Sequence, residues 1–183
     1  MLDLYLLDWD REEMDIHIRQ ASLDDVPIIA NFTYKMLSEM ATMGGRPLTE
    51  DFQAKASLAL RVRDCLGNID HFLVLAENLE LDPAPVGFIE ASIFAPETFF
   101  VESRILHIHS VFVLPSYRRA GIGRDLIQEA LDWGRSKACK EVKLNTLVWN
   151  PARSLYKQLG FRVCEYRMKI ELSDSLESQD KAG

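Results

Sequence analysis

Long hydrophobic runs are missing from this chain of 183 residues. No window approaches the roughly 18–20 uninterrupted apolar residues of a membrane span, so no membrane partner is expected. Cysteine is scarce. Cys65, Cys139 and Cys164 form an odd, scattered set without CxxC spacing. That pattern excludes a disulfide framework or a zinc site and reads as a reduced, cytoplasmic protein with no metal. The opening MLDLYLLDWDREEMD is acidic and lacks the basic stretch and small-residue cleavage site of a secretory signal. Internal repeats and low-complexity tracts are absent as well. What remains, with 48% apolar and 27% charged residues, is ordinary globular material of single-domain length.

The net charge of −7 hides a division. Residues 1–103 carry 19 acids and 7 bases, a balance of −12, whereas residues 104–172 carry 6 acids and 13 bases, a balance of +7. An acidic protein without an RNA-binding motif is not expected to take nucleic acid. A basic half joined to an acidic half suggests an anionic ligand on one side and a cationic one on the other, or simply two solvated faces.

Periodicity predicts a short strand at 17–21. Ser22-Leu23-Asp24-Asp25 then opens a helix like a capping box, with Ile29, Phe32, Met36 and Met40 at helical spacing. Gly44-Gly45-Arg46-Pro47 breaks it, and Thr49 caps a second helix running to about Leu66. Strand-like runs at 71–77, 86–94 and 105–114 follow, separated by turn signals at Asp82-Pro83 and Ala95-Pro96, which suits antiparallel neighbours. The period returns to helical after Gly121. A strand at 141–148, a helix at 151–159 and a last strand at 162–172 complete the order β-α-α-β-β-β-α-β-α-β. This is a mixed α/β (α+β) fold, a largely antiparallel central sheet flanked by helices. Residues 1–15 read as an acidic extension, 16–172 as one domain and 173–183 as a polar, disordered tail.

The most informative stretch is VFVLPSYRRAGIGR, residues 111–124. A hydrophobic strand stops at Pro115, and a basic, glycine-containing turn leads straight into an amphipathic helix. Unpaired N–H groups and the positive dipole end at a helix start can grip phosphate. Gly121 and Gly123 let a pyrophosphate approach the backbone, and Arg118, Arg119 and Arg124 add charge. A P-loop would need GxxxxGK[ST], and a dinucleotide fingerprint would need a glycine where Leu126 stands.

Arg118-x-x-Gly121-x-Gly123 instead resembles the acyl-CoA pyrophosphate signature of the GCN5-related N-acetyltransferases. A second segment, Asn150-Pro151-Ala152-Arg153-Ser154-Leu155-Tyr156-Lys157-Gln158-Leu159-Gly160-Phe161, is similar to the family's Asn-x-x-Ala-x-x-Leu-Tyr-x-x-x-Gly-Phe. By itself that segment also reads as a well-capped structural helix, with Asn150 as N-cap and Gly160 at the C-terminal end. Two motifs in the right order, one helix and one strand apart, favour the family reading.

The resemblance implies transfer of an acetyl group from acetyl-CoA to an amine. It implies that Val111, Phe112 and Val113 line the pantetheine arm, that the turn from Arg118 through Arg119, Ala120, Gly121, Ile122 and Gly123 to Arg124 holds the pyrophosphate, and that Asn150 binds the arm. Tyr156 would protonate the leaving thiolate. The common glutamate base falls, by position, on His109, and Glu90 competes for the role through water. Glu39, Glu50 and Asp51 beside the glycine turn suit a cationic acceptor, either a small-molecule amine or a peptide amine. A non-catalytic acetyl-CoA-binding module would not need Tyr156. Family members are often dimers, so a homodimer is a further expectation.

Overall fold

The computed structural model describes residues 14–44, 46, 48, 52–81, 84–94, 104–168 and 170. The polar tail at 173–183, most of the acidic extension, and Gly45, Pro47, Thr49, Glu50, Asp51 and the Asp82-Pro83 and Ala95-Pro96 turns lie outside the described residues.

Among the described residues the order is β1 (Ile16–Gln20), α1 (Val26–Thr42), α2 (Phe52–Cys65), β2 (His71–Asn78), β3 (Pro85–Phe94), β4 (Ile105–Val113), α3 (Ile122–Ser136), β5 (Glu141–Leu144) and α4 (Arg153–Gln158). The sheet runs β1-β2-β3-β4-β5, antiparallel throughout except for the parallel β4–β5 pair.

Strand β2 is apolar on both faces because both faces are covered, which explains its continuous hydrophobic run. Leu73 and Leu75 point toward α1 and α2 and pack with Ile29, Phe32, Val62, Phe88 and Phe112. Phe72, Val74 and Ala76 point the other way, into a cluster with Ile122, Leu126, Ile127 and Ala130 of α3. The α3 residues recur at helical spacing, so one stripe of that helix lies on the sheet and its N-terminus is fixed beside the end of β4.

One expected element is corrected. The final strand at 162–172 does not form over its described part, since residues 162–168 have no ladder partner. Val163, Tyr166 and Met168 are exposed. An alternating apolar pattern makes a strand only where a neighbouring edge accepts its backbone, and β5 is four residues long and pairs with β4 alone among the described strands. The strand expected at 141–148 likewise stops at Leu144.

A charged triad joins the first two strands to the helix entry. Arg19 on β1 donates to both carboxylate oxygens of Asp25 at 2.7 and 2.8 Å and to Glu77 on β2 at 2.6 Å. Asp25 also accepts the Ser22 backbone N–H at 2.7 Å, which fixes where α1 begins. The Arg19 guanidinium is the main reason that the buried Asp25 carboxyl falls from 3.8 to about 2. A depressed carboxyl pKa stabilises the fold above the unfolded value and stops doing so as pH falls through the folded value. We therefore expect Asp25→Asn to lower unfolding stability at pH 7 by about 2 kcal/mol. Urea titrations should show the deficit shrinking between about pH 4 and pH 2, and a pH-independent deficit would mean that the carboxylate charge is not what matters.

Candidate active site

The ladder between β4 and β5 covers only Ile105–Ile108 against Glu141–Leu144, and from residue 109 onward no described strand pairs with β4 on that side. The break coincides with a β-bulge. Glu90 pairs with Ser110 and Ala91 with Ile108, which leaves His109 as the extra residue. A bulge bends its strand, and this one falls where the ladder to β5 ends. Between Val111–Val113 of β4 and the chain leading from Leu144 to Asn150 and α4 the ladder is therefore open, and this opening is the candidate cleft.

The cleft ends at the basic turn. Leu114 leads through a single 3-10 turn, Pro115–Tyr117, into Arg118. Arg119 has φ 70°, and Gly121, the N-cap of α3, has φ 88°. The left-handed value at 121 strongly favours glycine. Among the described residues, no backbone acceptor meets the N–H groups of 119–123. They lie at the positive end of α3, an arrangement that can serve as an anion cradle. A Cβ on Gly123 would make only ordinary contacts, 3.6 Å from Leu155 and 3.9 Å from Val113, so packing alone does not require glycine there.

The three arginines of the turn differ in where they point. Arg118 Nε donates to the Val113 carbonyl at 2.8 Å, and its Nη2 donates to both Glu39 oxygens on α1 at 2.7 and 2.8 Å. Arg124 donates to Gln158 of α4 at 3.0 Å, and Arg119 is exposed. Glu39, expected to serve a cationic acceptor, is thus already paired. Ala120 and Ile122 continue the backbone of the cradle, Ile122 with its side chain in the core.

Asn150 accepts the Ala152 N–H at 2.9 Å through its side-chain oxygen and so shapes the entry to α4. Tyr156 packs from α4 against the α3-side core, with its ring edge-on to Phe161. Burial pushes its phenol above the usual 10, so it keeps its proton at neutral pH. No described group hydrogen-bonds that hydroxyl.

On the α1–α2 face of the sheet, the bulge places His109 and Ser110 on the same side as Glu90. Glu90 is 3% exposed, accepts from Arg61 of α2 at 2.6 Å and from the Ser110 hydroxyl at 3.3 Å, and has the Cys65 thiol at 3.7 Å. Burial, with the Glu90 charge beside it, pushes that thiol up to about 11, which leaves it an inert core group. Glu90 is thus buried and ion-paired with Arg61. His109 opens to solvent, its Nε2 2.7 Å from the Ser92 hydroxyl and its Nδ1 3.1 Å from Nδ1 of His107. The surrounding protein and then His107 lower its pKa below 6.5, so the ring is neutral at pH 7.

Arg61, Ser92 and Ser110 were not legible as site residues. Alternation along β3 does put Ser92 on the face of Glu90, but Ser110 joins that face only through the bulge, and Arg61 looks like any solvated helix residue.

The acetyltransferase (GNAT) family model matches residues 36–161. Glucosamine 6-phosphate N-acetyltransferase of Trypanosoma brucei brucei is 41% identical over 66 residues, 36% of this chain and 44% of that protein. Aminoglycoside N(6')-acetyltransferase type 1 of Salmonella typhimurium is 32% identical over 94 residues, 48% of this chain and 65% of that protein. The chain thus spans about half the length of these curated relatives. In fold it is similar to an aminoglycoside N-acetyltransferase solved in complex with CoA, with TM-score 0.67, 21% identity and coverage of 87% of this chain and 95% of that one. A Trypanosoma brucei acetyltransferase structure aligns with TM-score 0.64 at 25% identity, over 86% of this chain and 100% of that one.

The histidine pair makes a direct prediction. Ring-proton NMR should find His109 titrating below 6.5, and His107→Gln should move its midpoint upward by removing the neighbour that disfavours its charge. A midpoint that stays put would remove His107 from the causes.

Proposed function

This chain belongs to the acetyltransferase (GNAT) family, and from that premise we propose that it transfers the acetyl group of acetyl-CoA to a primary amine of a small molecule by direct attack in a ternary complex. The observation that carries this reading is the cleft between β4 and β5 that ends in unpaired N–H groups at the start of α3. A narrow slot closing on an anion cradle suits a long thiol arm with a pyrophosphate at its end. The relatives' names, an amino-sugar phosphate and an aminoglycoside among them, favour a small amine over a peptide. The free cysteines support a reducing, cytoplasmic setting, no described helix is long and apolar enough to cross a membrane, and a homodimer completes the reading.

Acetyl-CoA supplies a thioester carbonyl. The Leu114 N–H bonds Val86 of β3, so alternation turns the Phe112 N–H toward β3 and the Val111 and Val113 N–H groups toward the arm, where they can meet the developing oxyanion. The N–H groups of 119–123 and the Arg119 and Arg124 side chains hold the pyrophosphate. The Asn150 amide NH2 remains free to bind the arm while its oxygen holds Ala152. His109, neutral and open to the acceptor face, takes the proton of the incoming ammonium, directly or through Ser92 or water. The Arg61 pairing and burial of Glu90 favour His109 over it as base. The C–N bond forms, the nitrogen releases its remaining excess proton to solvent, the C–S bond breaks, and the Tyr156 phenol gives its proton to the departing sulfur and is reprotonated from solvent. Alignment of the two substrates is worth up to roughly 7–11 kcal/mol of the barrier.

A thiol-release screen with acetyl-CoA against small amines and peptides tests the reading. Release with small amines supports it, release with peptides alone makes the acceptor a peptide, and binding without release makes the chain a cofactor-binding module. Gly121→Glu puts bulk, negative charge and backbone strain into the cradle. Calorimetry should then lose acetyl-CoA binding in a chain that still melts cooperatively, and retained affinity would remove the cradle assignment.

Tyr156→Phe keeps the ring and deletes the hydroxyl. Cofactor affinity should survive while turnover falls by about 10²-fold, the lower end for a general acid. Unchanged turnover with chemistry rate-limiting would return Tyr156 to a packing role.

A further inference from the structure

Arg118 opens the anion cradle, yet its guanidinium already holds a carboxylate. Nη2 takes both oxygens of Glu39 at 2.7 and 2.8 Å, Nε holds the Val113 carbonyl at 2.8 Å, and the group sits 5.6 Å over the Phe112 ring. Both side chains are well open to solvent, 40% for Arg118 and 35% for Glu39. An exposed ion pair of this kind is weak and is exchanged easily for a stronger anion. Positive charge is concentrated around it, from the unpaired N–H groups of 119–123, the start of α3, and Arg119 and Arg124.

Glu39 lies in the last turns of α1, whose end also reaches the opposite side of the cleft. Five residues on, a Cβ at Gly44 would lie 3.2 Å from the indole of Trp149, in the segment between β5 and α4. α1 packs on the face of the sheet that carries Glu90, with Phe32 against Phe112, and Glu39 near its end joins that helix to the pyrophosphate turn through Arg118.

We propose that Glu39 is a resident anion on Arg118 that the phosphate of acetyl-CoA displaces, and that the freed carboxylate then receives the ammonium of the acceptor. While the pair is closed, Arg118 cancels the charge that would attract a cation. Once phosphate neutralises Arg118, Glu39 presents a full negative charge to the acceptor face. Cofactor binding thus prepares the amine site, and the acceptor follows the cofactor. This inference rests on the acetyl-CoA reading of the cradle.

Calorimetry with coenzyme A at low ionic strength tests it on wild type, Glu39→Gln, Arg118→Gln and the double variant. Removing the competitor should tighten coenzyme A binding by about two- to fivefold, the size of an exposed ion pair. The gain should vanish when Arg118 is already glutamine. Unchanged or weaker binding by a folded Glu39→Gln chain means that Glu39 merely braces Arg118, and overturns the exchange. Tightening that persists without Arg118 is a general field effect and overturns it equally. Should Glu39→Gln not fold, Glu39→Asp is too short for the two-point contact and should tighten binding in the same direction. In thiol-release assays Glu39→Gln should raise KM for the accepted cationic amine, and an unchanged KM overturns the acceptor half. A wild-type chain that binds no coenzyme A overturns the acetyltransferase reading and this inference together, whereas wild-type binding indifferent to Glu39 overturns this inference alone.

Discussion

The parallel ladder between β4 and β5 stops after four residue pairs, and the rest of the molecule is arranged around that gap. Two strands that stayed paired would satisfy each other's backbone and leave no room for a ligand. Here the bulge at His109 bends β4 just where pairing ends, so the strand continues with no described strand on that edge, where the Val113 carbonyl takes Arg118 instead. Unpaired strand edges are ordinarily a liability. This one leads directly to the start of α3, where further N–H groups are unpaired, and the two features together form one extended polar surface.

That surface is held rigid by apolar packing on both sides of the sheet. One stripe of α3 is buried against β2, β3 and β4, so the N-terminus of the helix cannot drift from the end of β4. Phe112 belongs to the opposite cluster with Phe32 and Phe88, and its ring also supports the Arg118 guanidinium. Groups that must meet a ligand within tenths of an ångström are thus carried on strands and a helix end rather than on free loops.

Charge pairing decides which ionisable groups are available for chemistry. Arg61 satisfies Glu90, Arg19 satisfies Asp25 and Glu77, and Glu39 occupies Arg118. A buried carboxylate without such a partner would carry a heavy desolvation cost, so Arg61 explains how Glu90 can remain in the core. Among the described residues, no carboxylate is bound to His109. It touches Ser92 and another imidazole, and both contacts suit a neutral ring.

By itself, the amino-acid sequence determined what local chemistry can encode. The strand, proline, basic turn and helix of 105–136 were legible because hydrophobic period, Pro115 and the left-handed Gly121 are properties of neighbouring residues. The strand expected at 162–172 does not form over its described part, because alternation says nothing about whether an edge waits to receive it. The side of the sheet on which Ser110 lies, the burial of Glu90, and the capture of Glu39 by a residue 79 positions away were decided only by the tertiary structure. A bulge shifts the face of every residue beyond it and an ion pair depends on distance in space, and neither is written in the order of the residues.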